Sequence, residues 1–497
     1  MSDSLGTLTW AGAAQRAHGR CYLFMPEATW ALVAATGLLV ALLMYPWYSA
    51  DSLWVGAAVA LVVAVVSQSL WASAHAPWIP GLVVVTAAIQ WVLAPWASYH
   101  IGPDYPLYRM VVPQPEYFAF AVPATLALTA GIYLPALLAG VGRAARPAGP
   151  ALPSTAARSS FRYTCDGLVL VAVVVSLFVL PSLPVSYHYV GTLVVDLGFV
   201  SAFALCLMRA PQWSWRIIAM LGSQLIAASA DGVFHDLLLW TTYFALILGF
   251  RRKVRGRTLL VLAAAGTYAV AALNSIKFAY RRDLVFAAAP SAEQRVSMLG
   301  DALGRQILHP DQVFADDEIL YGVTRLNQGW IIGRVMERVP VAEPYARGET
   351  VVNALVSAAV PRVMRPGKYI AGGDPYFERF TGVRLRGAAM NLGLAGEMYA
   401  NFGPVGGCIG VLLWGLLVGI LFVRFARAAQ RSSLWWAWAP FVMLYTAEAE
   451  SGVGEVVNQV AKSALVMLAI VSIVPVWRGL RTWRVPALRS RPDSVPA

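Results

Sequence analysis

Residues Pro361 to Arg424 read PRVMRPGKYIAGGDPYFERFTGVRLRGAAMNLGLAGEMYANFGPVGGCIGVLLWGLLVGILFVR. Arg and Lys crowd the first half. A short Gly-rich helical pattern holding a single acid, Glu397, comes next, and an apolar run over 405–424 completes the stretch. A bilayer core of roughly 30 Å asks for about 20 apolar residues in one helix, which is what this run supplies. The stretch therefore passes from a charged surface into a membrane, and the fold class expected is an all-α polytopic integral membrane protein.

Composition agrees with that reading. The chain has 497 residues, of which 58% are hydrophobic and only 13% charged, with a mean hydropathy of +0.61. A soluble domain is far less apolar. Eighteen Trp and twenty Tyr suit an interfacial aromatic belt. The net charge of +12 follows the membrane topology, so no nucleic-acid partner is implied. Cys21, Cys165, Cys206 and Cys408 are scattered, with no CxxC and no Cys/His cluster, which argues against both a zinc site and a disulfide framework. The first apolar run begins near Thr29, is span-length and lacks a convincing cleavage site, so it reads as an anchor rather than a cleaved signal.

Apolar runs predict spans near 28–49, 53–71, 79–97, 117–140, 165–181 and 189–208. A tight pair follows near 214–231 and 234–250, then runs near 258–276, 405–424, 434–450 and 459–477. About twelve transmembrane helices would leave both termini on one side. The positive-inside rule makes that side cytoplasmic. The inner segments then carry Arg16 and Arg20, Arg143 through Arg162, Arg209 and Arg216, the cluster Arg251 to Arg257, and Arg424 to Arg431. The short outer loops hold almost nothing basic except Arg109. The pair at 214–250 is short enough to be a re-entrant hairpin, which would not change the orientation.

Residues 277–404 form one large polar excursion with fifteen Lys or Arg between Lys277 and Arg386. Long loops translocate regardless of charge. Apolar residues at three- and four-residue spacing predict helices over Ala292–Leu308 and Asn327–Arg338. The expected organisation is a four-helix membrane segment at 1–140, a cytoplasmic linker at 141–164 and central membrane helices at 165–276. A partly helical extracytoplasmic cap at 277–404 carries the candidate active site. The last three membrane helices at 405–477 and a basic cytoplasmic tail at 478–497 follow it.

Between 362 and 386 stand Arg362, Arg365, Lys368, Arg379, Arg384 and Arg386 against only Asp374 and Glu378. Arg forks match phosphate oxygens bidentately and Lys adds a compact charge, so this window suits a phosphate or diphosphate. Gly372, Gly373, Gly382 and Gly387 would let backbone approach such a ligand. The plainer reading is attraction to anionic headgroups. On a helix Gly393, Glu397 and Asn401 fall on one small, polar stripe. A carboxylate there is desolvated unless paired and suits a general base; a salt bridge to an Arg of the cap is the bland alternative. A second acid group, Glu448, Glu450 and Glu455 with Asn458, Gln459 and Lys462, straddles the last outer turn, where a solvated turn accounts for much of it. Asp231, His235 and Asp236 mark the turn of the short hairpin, but one histidine does not make a metal site, and no metal centre is expected.

RLNQGW at 325–330, PYARGET at 344–350, PRVMRPGK at 361–368, GGDPYFERFTG at 372–382 and GEMYANFGPVGG at 396–407 together resemble the Wzy-type polymerases of O-antigen and exopolysaccharide repeat units. The resemblance covers 321–424, about a fifth of the chain; elsewhere only the hydropathy profile agrees. It implies a metal-independent, inverting glycosyltransferase on the outer face of a bacterial cytoplasmic membrane. The growing glycan would leave undecaprenyl diphosphate and join an incoming undecaprenyl-diphosphate-linked oligosaccharide. Here the resemblance and the residues meet. Arg362, Arg365, Lys368 and Arg384 would hold diphosphate, and Glu397, or else Asp374, would act as base. Arg325, Asn327, Gln328 and Trp330 would contact sugars, with a helix packing on the membrane as the alternative. No cofactor is called for. A chain-length regulator and export machinery are the partners the resemblance implies, beside the lipid bilayer.

Two rivals share parts of this pattern. An O-antigen-type ligase would use the same donor, and nothing in the sequence identifies the acceptor. A flippase or other transporter of lipid-linked glycans would concentrate charge within its spans around a midplane cavity, whereas this chain keeps its spans nearly uncharged, with Asp196 and Lys462 as exceptions, and places its polar residues in one outer cap.

Overall fold

Backbone polar groups inside a bilayer must be satisfied within the protein, and helices do this locally. The computed structural model describes residues 76–101, 109–139, 155–231, 235–252, 325–360, 374–384 and 390–475 as continuous stretches, with isolated positions elsewhere. Among the described residues it is helical, with no strand. Six helices are long and apolar enough to cross a membrane: Ile79–His100, Gln114–Leu138, Arg158–Ser182, Tyr187–Leu207, Gly393–Ala429 and Val453–Ile473. These coincide with six of the expected spans, and they define a helical membrane protein. The expected spans near 28–49, 53–71 and 258–276 lie wholly or mostly outside the described residues.

The first continuously described helix, α1, runs Ile79–Ala88, widens into a π turn at Ile89–Leu93 and continues as Ala94–Ile101. Pro95 explains the widening. Proline has no N–H to give the preceding turn and its ring crowds the carbonyl four residues back, here Trp91. Two freed carbonyls find donors elsewhere. Tyr117 O–H donates to the Trp91 carbonyl at 2.7 Å, and Gln328 N–H donates to that of Gln90 at 3.1 Å. This is where the RLNQGW run docks.

Helix α2 (Gln114–Leu138) follows, then α3 (Thr155–Val174), extended by a π turn at Val175–Val179. Because α3 starts at Thr155, the last part of the expected linker at 141–164 is helical. Helix α4 (Val185–Leu207) is buried against α3, and Phe199 stacks on Trp240 with ring centroids 4.3 Å apart. Helices α5 (Trp213–Asp231) and α6 (His235–Arg252) form the tight pair read from 214–250.

In the cap, α7 (Gly329–Arg338), α8 (Glu349–Ala359) and α9 (Asp374–Thr381) are short. The predicted helix over Asn327–Arg338 is present from Gly329 onward. Helix α10 (Gly393–Ala429) bends at Gly403, which takes φ 71° and ψ −169°. Only glycine adopts that conformation without strain. Pro404 follows and leaves the Ala400 carbonyl without its helical donor; Ala346 N–H takes it at 3.0 Å, and Arg347 N–H donates to the Asn401 carbonyl at 3.0 Å. The PYARGET segment is thus threaded into the bend. The expected boundary at 404/405 coincides with this kink rather than with a helix start.

After α10 the stretch expected to span near 434–450 is shorter than a membrane helix. It holds α11 (Trp435–Met443) and a 3-10 turn at Leu444–Ala447. Hydroxyl groups take the carbonyls where α11 ends: Tyr243 O–H donates to the Met443 carbonyl at 2.9 Å and Thr446 O–H to the same group at 2.6 Å. Helix α12 (Val453–Ile473) follows.

Candidate active site

The loop 448–452 leads into α12, and a helix start lacks intrahelical partners for its first N–H groups. One of them, Val453 N–H, donates to Oε2 of Glu397 at 2.8 Å. The other carboxylate oxygen, Oε1, accepts from the Thr350 hydroxyl at 2.7 Å. Thr350 itself sits in the first turn of α8. Asn401, one turn beyond Glu397 on α10, donates to Thr350 Oγ1 at 2.7 Å and to the Glu397 carbonyl at 2.8 Å, while its Oδ1 accepts Gly348 N–H at 2.9 Å. Glu397 therefore ties α8, α10 and α12 together, and the residue is only 7% exposed. The salt bridge to a cap Arg weighed from sequence is not its contact; the partners are a hydroxyl and a helix N-terminus.

Thr350, Tyr376, Phe377, Asn391, Glu397 and Glu455 line a small cleft of about 20 Å³, closed further by Met390, Leu392, Gly452 and Gly454. Glu455 stands in the first turn of α12 and accepts from Asn391 Nδ2 at 2.6 Å. The cleft thus presents two carboxylates and an amide beneath an aromatic roof. Each oxygen of Glu397 keeps a lone pair beyond its single hydrogen bond, so the group can take a proton from a hydroxyl placed in the cleft.

Helix α9 supplies the roof through Tyr376 and Phe377, and ion pairs hold it in place. Arg379 Nε donates to Glu343 Oε1 at 2.6 Å, its Nη1 reaches Glu349 Oε2 at 3.0 Å, and Arg338 Nε donates to the Arg379 carbonyl at 2.8 Å. The Tyr376 phenol accepts from Asn353 Nδ2 at 2.8 Å; burial pushes its pKa up, with that bond working against the shift.

The sequence-predicted residues fall into distinct places. Asp374 opens α9, with its side chain outside the described residues. Arg362, Arg365 and Lys368 also lie outside them, in the connection between α8 and α9, two helices that both line the cleft. Arg384 is exposed and pairs with Glu378 at 2.8 Å. Trp330 is half-buried and meets Phe377 edge-on at 6.1 Å, so it backs the cleft wall. Arg325 is helical and half-buried. Asn327 is 1% exposed and donates to Ser98 Oγ at 2.9 Å, an inward placement that anchors α7 to α1 rather than facing a sugar. Gln328 donates through Nε2 to Glu450 Oε2 at 3.0 Å, away from Glu397.

Sequence reading missed Thr350, Tyr376 and Asn391. Their motifs were in view, but nothing local marks a threonine in a helix's first turn as a carboxylate partner. Replacing Thr350 with Val keeps the shape and removes the donor to Glu397 and the acceptor for Asn401. The expected loss is about 1–3 kcal/mol of stability, because a buried polar partner is left unmade. Thr350→Ser should recover most of it in thermal unfolding of the purified protein.

Comparison with family models, with curated proteins and with solved structures finds no match to this chain.

Proposed function

We propose that this chain is a polymerase of lipid-linked oligosaccharides, as its resemblance to the Wzy-type enzymes implies. The observation that carries the reading is Glu397, a buried carboxylate lining a cleft between α8 and α9, the two helices joined by the segment holding Arg362, Arg365 and Lys368. The acceptor hydroxyl oxygen attacks the anomeric carbon of the donor glycan and gives its proton to Glu397. The bond from that carbon to the diphosphate breaks, configuration inverts, and undecaprenyl diphosphate leaves with the electron pair. Diphosphate is a good leaving group, so the protein's work is positioning and neutralising charge. Arg362, Arg365 and Lys368 serve the second task, Arg384 being held by Glu378, and no cofactor takes part in the transfer.

The topology proposed with it has twelve passages, both termini cytoplasmic and 277–404 on the outer face of the bacterial cytoplasmic membrane. Residues 435–447 rise only about 20 Å by helix geometry. The outer turn 448–452 then lies recessed below the membrane surface, at a depth suited to a diphosphate headgroup.

Purified protein with a synthetic lipid-diphosphate oligosaccharide should yield a ladder of whole repeat units on gels or by mass spectrometry. Arg362→Ala should cut its formation at least about tenfold through loss of a charge-assisted contact, with unfolding temperature unchanged. Intact substrate that reacts only when a separate lipid or protein acceptor is supplied would replace this reading with a ligase. Substrate that stays intact under every acceptor but is bound and moved across proteoliposomes would replace it with a transporter.

A further inference from the structure

His235 reads from sequence as a lone histidine at a hairpin turn, yet the fold sets two carboxylates against it. Its Nε2 lies 3.3 Å from Glu448 Oε1 and 3.8 Å from Glu450 Oε1. One donor atom from each of the three residues falls within 4.8 Å of the others, the one such trio of His, Cys, Asp or Glu among the described residues. The Glu448 side chain is only 7% exposed, and its Oε1 is buried and accepts no hydrogen bond. Gln328 gives a further sign on the same spot: its Nε2 donates to Glu450 Oε2, while its Oε1 is buried without a hydrogen-bond partner.

Native proteins rarely leave a buried carboxylate oxygen unmatched. A protonated imidazole answers only part of this, because Nε2 carries one hydrogen and two carboxylate oxygens face it. A cation answers both. Ligands held at roughly 2.0–2.2 Å from a tetrahedral zinc stand about 3.3–3.6 Å apart, which is close to the spacing of the two imidazole–carboxylate edges here. Mixed imidazole and carboxylate donors select a divalent transition metal over magnesium or calcium.

The geometry points to a divalent cation site of the zinc class, formed by His235 Nε2, Glu448 Oε1 and Glu450 Oε1, that fastens the start of α6 to the 448–452 loop. The ion touches none of the atoms assigned to proton transfer, and the site does not depend on the glycan reading. Its consequence for the cleft is positional. Glu448 accepts from the Ser451 hydroxyl, and two residues later Val453 N–H holds Glu397. Fixing Glu448 and Glu450 therefore fixes the loop that aims the cleft's carboxylate.

The test uses full-length protein in detergent, stripped with EDTA, desalted, and loaded separately with Zn²⁺, Mn²⁺, Ca²⁺ or Mg²⁺. Elemental analysis after a second desalting should find about one Zn²⁺ per chain, and metal that binds only the folded state should raise the unfolding temperature. His235→Ala and Glu450→Gln change partly exposed side chains, so each should melt like the stripped parent while retaining at least tenfold less Zn²⁺. X-ray absorption of the loaded protein should show one imidazole nitrogen with oxygen ligands. Equal retention by parent and variants, retention of Ca²⁺ in preference to Zn²⁺, or no retained metal would each overturn the site.

Discussion

Glu397→Gln is expected to lower turnover of a lipid-diphosphate oligosaccharide by a factor of about 10²–10⁴ while leaving the protein folded, the range over which a positioned general base acts. The amide can keep the local structure. Its oxygen continues to accept Val453 N–H, and its nitrogen donates to Thr350 Oγ1, which already accepts from Asn401 and has a second lone pair. What it cannot do is take a proton. Glu397→Ala would confuse the two roles, since it abandons the Val453 N–H and the Thr350 hydroxyl inside the protein and costs stability as well as chemistry. A base must be deprotonated to work, so the parent's rate should fall toward acid pH, and that limb should vanish in the Gln variant. Unfolding temperature and the pH–rate profile measured on the same preparation separate the roles. Full turnover by a folded Gln variant would remove Glu397 from the reaction and leave it a pin between three helices.

That double role shows what local sequence could and could not reveal. The stripe Gly393, Glu397 and Asn401 was legible because helical periodicity is local, and Asn401 does bond one turn back to the Glu397 carbonyl. The carboxylate's two partners come from α8 and α12, and no pattern in a single segment predicts which distant helix start will face it. His235 meets Glu448 and Glu450 for the same reason: the contact belongs to the packing of α6 beside the 448–452 loop.

Spans were the most legible level, since a bilayer fixes both their length and their composition. The run at 434–450 shows the limit of that argument. Its apolar composition suits a span, but it ends early, where Tyr243 and Thr446 hydroxyls cap the Met443 carbonyl. Charge counting had a comparable limit. Six cations in the window 362–386 looked like one anion site, yet Arg379 is committed to Glu343 and Glu349 and Arg384 to Glu378. The acids that bind Arg379 lie outside the window, so a local tally could not see them. RLNQGW behaved likewise, because Pro95 in α1 opens the carbonyl that receives Gln328 N–H. Asn327 is drawn inward with it.

Gly415→Leu is expected to damage the protein more than any change at the cleft. Helices α2 and α10 cross backbone to backbone, with Gly131 on one and the Gly415–Gly419 pair, a GxxxG spacing, on the other. Lipid tails are as apolar as leucine, so helices in a membrane are held by close packing that small residues allow. A Cβ at Gly415 would stand 2.7 Å from the Leu128 carbonyl oxygen and 3.1 Å from Gly131 Cα, and one at Gly131 would stand 2.9 Å from Gly415 Cα. These neighbours are backbone and cannot swing aside, so the helices must separate. Overpacking of that kind costs about 3 kcal/mol or more. Gly415→Ala should fall between the parent and Gly415→Leu. Gly222 on α5 is the control, because a Cβ there meets nothing within 4 Å; Gly222→Ala should be neutral or stabilise by up to about 1 kcal/mol through helix propensity. Unfolding in one detergent ranks all four. The effect reaches the cleft as well, because α10 carries Glu397 on the far side of its Gly403 bend, and separating its lower half from α2 removes the support on which that bend is set. If Gly415→Leu melts within about 2 °C of the parent, a shift too small for a loss of that size, the backbone crossing does not hold the pair together.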